Sequence, residues 1–134
     1  MRTLQLVTLL VLGASIGAAV ADQMPPTENK GMAAKPLSGF DLGKQGLKDY
    51  EQRQMRIRQI TIAPGGVAAF HSHSQRPALS YILSGNLTEH RKGSSEARVY
   101  HAGEVITEST DVDHWAENTG SDSVVIVSVD LFKE

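Results

Sequence analysis

Two histidines, His71 and His73, stand one residue apart in the run Phe70-His71-Ser72-His73. In an extended chain, residues i and i+2 project to the same face, so both imidazoles can aim at one point. A third histidine, His114, heads a later extended run. Neutral imidazole is the commonest protein ligand for transition metals, which makes metal binding the chemistry to test first. The pair alone is weak evidence, since a solvated strand face or two satisfied histidines would show the same spacing. Cys is absent. That removes disulfides, thiolate zinc sites, iron–sulfur clusters and thiol catalysis from consideration. No Gly-x-Ser-x-Gly elbow and no phosphate-binding glycine loop leading into a helix occurs.

The elements that must carry these histidines read as strands. Residues 56–62 alternate and are rich in β-branched side chains, then stop at Pro64-Gly65-Gly66. Further short runs cover 67–73, 79–83, 87–91, 97–100, 105–107, 114–118 and 124–132, with turn signals between them. Ser84-Gly85-Asn86 reads as a hairpin turn. No stretch has a helical period. Short strands at near-regular spacing predict an all-β sandwich or barrel. Parity in these strands turns Ala69, Ser80, Ile82 and Ala116 inward with the histidines, so they are expected to line a pocket together with Ala78. It turns Trp115 and Tyr81 away. His90 and His101 fall beside turns and read as solvated. Asn118 is expected to bond backbone near a strand end.

Before the strands the chain changes character. Arg2 precedes an apolar run from Leu4 to Ile16, and Ala19-Val20-Ala21 offers a small-residue cleavage site. Residues 1–21 therefore read as a signal peptide, which predicts a periplasmic or secreted protein with no membrane attachment after cleavage. Residues 22–38 carry three prolines and no apolar period, and are expected to be a flexible linker. Residues 39–54 read as loop leading to an edge strand, within a domain spanning 39–134. The net charge is −2, and no basic field recommends a nucleic-acid partner.

The order of motifs resembles the cupin family. Gly65, His71, His73 and Gly85 stand where the first cupin motif has its glycine, His-x-His pair and closing glycine. Gly103, His114 and Asn118 stand where the second motif has its glycine, histidine and asparagine. The motif region is 65–118. The resemblance implies a single jelly-roll β-barrel and a divalent metal held by His71, His73 and His114. Fe(II) is favoured, with Mn, Ni, Cu or Zn as alternatives. Small single-domain members also form homodimers, which edge strands would allow here.

Two departures bear on function. The family's metal-binding glutamate would fall at position 78, where this chain has Ala78. The Pro-Gly turn before the second histidine is replaced by Ser109-Thr110-Asp111. Three readings of the vacancy at 78 stay open. Water or substrate completes a three-His site, or Gln75 supplies a weaker oxygen, or the metal is lost and the pocket binds an organic ligand directly. Three neutral imidazoles leave the charge of a divalent ion uncompensated, which favours an anionic, chelating small-molecule ligand. Arg76 is either an ordinary surface arginine or reaches a ligand carboxylate over the pocket mouth. The resemblance implies dioxygenase- or lyase-like chemistry, with a non-catalytic binding module as the alternative. No residue is assigned as general acid or base.

Overall fold

The computed structural model describes residues 24–133, so the signal-peptide reading of 1–21 lies outside the described residues. The longest strand explains most of the architecture. β2 runs Arg53–Ser72 and joins two segments that the sequence separates at Pro64-Gly65-Gly66. Its first half pairs with β8 (Val124–Lys133), from Arg53↔Lys133 to Ile62↔Val124. Its second half pairs with β7 (Asp113–Glu117). The glycines let one strand serve two neighbours. Gly65 has φ +69, and a Cβ on Gly66 would stand 2.7 Å from the Ala63 carbonyl oxygen and 2.9 Å from that of Lys30. Only glycine fits so close to backbone at the bend.

The remaining strands are β3 (Ala78–Ser84), β4 (Asn86–Arg91), β5 (Arg98–His101) and β6 (Val105–Glu108). Antiparallel pairing gives the order β5-β4-β7-β2-β8-β3-β6, a nearly closed all-β barrel. Gly85, at φ +80, does not turn a hairpin as its sequence suggests. β3 pairs with β8 and β6, whereas β4 pairs with β7 and β5. The glycine carries the chain from one wall of the barrel to the other. Interior positions alternate as the sequence predicts: Ala78, Ser80 and Ile82 are buried, while Leu79, Tyr81 and Leu83 face out. The core gathers Ile60, Ile62, Ile82, Leu87, Ile106, Val124 and Ile126. Asn118 clasps one end of it, donating to the Ile62 and Asp122 carbonyls at 2.9 and 2.8 Å and accepting from the Gly120 N–H.

The linker expectation is corrected over residues 30–38, and the loop expectation over 39–41. Lys30–Asp41 is β1, an antiparallel partner of β2. Its burial pattern is exposed almost throughout, with register shifts beside Gly31 and Pro36. An edge strand interrupted by glycine and proline has no apolar alternation to read. Between β1 and β2 lie two short 3-10 turns, Gly43–Gln45 and Lys48–Tyr50.

Candidate metal centre and cavity

His71 lies near the end of β2, His73 follows just beyond it, and His114 sits on β7 directly opposite His71. A register shift between Ala68 and His71 inserts one extra residue against β7, since Ala68 faces Ala116 and His71 faces His114. This bulge lets Ala68, Ala69 and the two histidines all reach the interior. The three Nε2 atoms form a triangle with sides of 3.0, 3.1 and 3.1 Å.

Each Nδ1 is occupied by an acceptor. His71 donates to the Ala69 carbonyl at 2.7 Å, His73 to the Arg76 carbonyl at 2.8 Å, and His114 to the Glu89 carboxylate at 2.6 Å. A carbonyl or ionised carboxylate only accepts, so each proton is on Nδ1 and each Nε2 presents its lone pair. Three converging lone pairs repel one another unless a cation lies between them. Burial pushes the His71 imidazole pKa down and that of His73 down to about 4, which keeps both neutral and ready to ligate. Two cis ligands roughly 2.1 Å from a shared ion stand about 3.0 Å apart, and two tetrahedral ligands about 3.4 Å. The triangle fits the cis, facial case, which leaves positions for other donors. Among the described residues these three histidines form a cluster able to hold a metal ion.

Glu89 is what holds His114. Its carboxylate is 1% exposed and also receives Arg91 Nε at 3.0 Å and the Tyr100 hydroxyl at 3.2 Å. Burial alone would raise its pKa, but the hydrogen bonds from His114 and Arg91 outweigh that and hold it below the ordinary value. A carboxylate–histidine pair of this kind fixes the tautomer and raises the basicity of the ligating nitrogen. Sequence reading passed over Glu89 because the contact crosses from β4 to β7.

The histidines open on a cavity of about 410 Å³. Its walls include Ala69, Ser80, Ala116 and Arg76 from the sequence-based set, and also Arg58, Glu108 and Ser128. Met32 and Ala34 of β1 close one side, so the segment read as a linker builds part of the pocket. Ala78 and Ile82 are buried but are not among its lining residues. Gln75 is exposed on the turn after β2, with its carbonyl accepting from Arg53 at 2.9 Å, and does not line the cavity. The oxygens that face the histidines belong to Glu108, 3.8 Å from His73 Nε2 and 3.7 Å from His114 Nε2.

A second charged group lies against the same cavity. Arg56 grips Asp130 with two bonds of 3.0 and 2.8 Å, Arg58 reaches the same carboxylate at 2.9 Å, and Arg76 stands 3.8 Å from it. Three guanidiniums share one buried carboxylate, and Arg58 Nε is buried without a hydrogen-bond partner among the described residues. Of the outlying histidines, His101 is exposed and bonds Asn86. His90 is not simply solvated: it stacks on Trp115 at 3.8 Å and pairs with Glu117 at 2.9 Å.

The family model described as the cupin domain matches residues 58–130. No curated protein matches the chain. Among solved structures, a predicted oxalate decarboxylase from Thermotoga maritima superposes with a TM-score of 0.58 at 20% identity, covering 81% of this chain and 93% of that one. KdgF from Halomonas sp. gives 0.57 at 18%, covering 75% and 80%. Oxalate oxidase in complex with the substrate analogue glycolate gives 0.57 at 21%, covering 78% and 52%. At these identities the structural likeness speaks to fold. With more than half of its length matched by the family model and its strands closing into the corresponding barrel, the chain belongs to the cupin domain family.

Proposed function

We propose that this cupin is an exported, metal-dependent enzyme that acts on a small anionic, chelating substrate, with dioxygenase- or lyase-like chemistry. The observation that carries the reading is the Nε2 triangle of His71, His73 and His114, with every Nδ1 already engaged. Fe(II) is the favoured ion, with Mn, Ni, Cu or Zn able to use the same donors. Bound there, it supplies a Lewis-acidic and, for iron, redox-active centre for a chelating anion.

The chain's own residues do the rest. The carbonyls of Ala69 and Arg76 and the carboxylate of Glu89 hold the imidazoles at fixed angles. Arg58 and Arg76 place positive charge on the cavity wall, and Asp130 neutralises only part of it. That charge favours a carboxylate or enolate in the cavity. Met32, Ile60, Leu87 and Ile106 line the same space and keep part of it apolar. The oxalate oxidase neighbour holds glycolate, an α-hydroxy acid, which belongs to the ligand class this charge pattern suits.

Metal analysis of protein exported to the periplasm and purified without chelator tests the reading. Close to one equivalent of transition metal is expected, lost in His114→Ala. Metal content below about 0.1 equivalent, unchanged by that substitution, overturns it. If metal is present, turnover of α-hydroxy acids, diketones or thiols by the loaded protein separates an enzyme from a binding module, which would saturate without turnover.

A further inference from the structure

The carboxylate missing from position 78 has a counterpart on the neighbouring strand. In the β3–β6 ladder Ala78 lies directly opposite Glu108. Directly opposed residues of an antiparallel pair project to the same face, with Cβ atoms about 4.5–5.5 Å apart. A glutamate at 108 can therefore send its carboxylate into the space that a glutamate at 78 would fill. Its orientation agrees. One oxygen faces His114 and the other faces His73. The Ser80 hydroxyl donates to Oε2 at 3.0 Å and is itself 3.0 Å from Ser128 Oγ.

We propose that Glu108 is the fourth protein ligand of the ion held by His71, His73 and His114, supplied across the strand pair from the position opposite Ala78. The inference rests on the metal reading above. Carboxylate-to-nitrogen distances of 3.7 and 3.8 Å are within about 0.8 Å of the edge between cis ligands, a shift that rotation of a glutamate side chain covers. Glu108 is 7% exposed, and its ion-pair contacts are with the histidines themselves. A buried carboxylate is costly without a counter-charge, and a divalent ion between it and the imidazoles supplies one. The oxygen ligand also changes selectivity. A three-nitrogen site suits Ni(II) or Cu(II), whereas an added carboxylate favours harder ions such as Mn(II) and Fe(II).

The test is titration of the full protein with Mn(II) and with Ni(II), each alone, by calorimetry. Glu108→Gln and Glu108→Ala are compared with the parent and with the swap Ala78→Glu/Glu108→Ala. Circular dichroism confirms that each is folded. The expected result is a loss of at least about tenfold in Mn(II) affinity in both single variants, a smaller loss for Ni(II), and Mn(II) affinity regained in the swap. Parental Mn(II) affinity in Glu108→Gln and Glu108→Ala overturns the proposal and leaves the three-His centre standing. So does an equal loss for both metals, which marks a packing effect, or a folded swap no better than Glu108→Ala. A parent chain that binds neither ion overturns both this proposal and the metal reading.

Discussion

The two walls of the cavity differ in how completely their polar groups are partnered. On the side formed by the second half of β2, β7 and β4, every histidine of the cluster has its Nδ1 bonded, and Glu89 receives His114, Arg91 and Tyr100 at once. On the side formed by β3, β6, β8 and the first half of β2, Glu108 faces two histidines from beyond bonding distance. There, three arginines crowd Asp130, and Arg58 Nε is left over. The first wall is organised before anything binds. The second holds charge that its own partners compensate only in part. Fixed donors on one side and under-compensated charge on the other are how a site combines a rigid metal position with an adaptable ligand seat.

The sharpest way to break this contrast is at Glu89. Glu89→Gln keeps the shape but removes the charge behind His114, and metal affinity is expected to fall by between about 10- and 100-fold, measured by competition with a chromogenic chelator. An unchanged affinity would mean that the first wall does not tune the ion. On the opposite wall, Arg58→Met should weaken binding of oxalate or glycolate to the metal-loaded protein by about tenfold, the scale of one charge-assisted hydrogen bond. Metal affinity should stay at the parental value. Loss of metal with retention of anion binding would invert the comparison.

Acidification sharpens it further. The His71 and His73 imidazoles have folded pKa values below the ordinary 6.5, with His73 at about 4, because burial penalises the charged form. Between those values the unfolded chain binds more protons than the folded one. Their contribution to stability is therefore complete above about pH 6.5 and is lost as pH falls towards 4. In the presence of chelator, the melting temperature is expected to drop by several degrees from pH 7 to pH 5. A flat profile would show that the histidine wall is not buried as described. The smallest effect is expected at Ser80→Ala, which removes the hydroxyl donor to Glu108 at a cost of about 1 kcal/mol in stability, read by urea unfolding.

Much of the fold was legible because strand parity is local. The runs at 79–83, 87–91, 105–107 and 124–132 all lie within observed strands. β1 was not legible, since an exposed edge strand containing Gly31, Pro36 and Gly39 lacks alternation, although its Met32 and Ala34 wall the cavity. The bend at Gly66 also reads as a stop in sequence, because a glycine that breaks a strand and one that lets it turn between two neighbours look alike.

The sequence by itself determined that His71 and His73 share a face, and motif order added His114 to them. Side-chain direction in a strand repeats every two residues, so such statements need only the local chain. Tertiary structure decided everything that depends on register between strands. It set Glu89 behind His114, gathered Arg56, Arg58 and Arg76 on Asp130, and placed Glu108 opposite Ala78. A strand's alternation fixes which residues face in but is unchanged by a slip of two, so which residues of two strands stand opposite is settled only when the barrel closes.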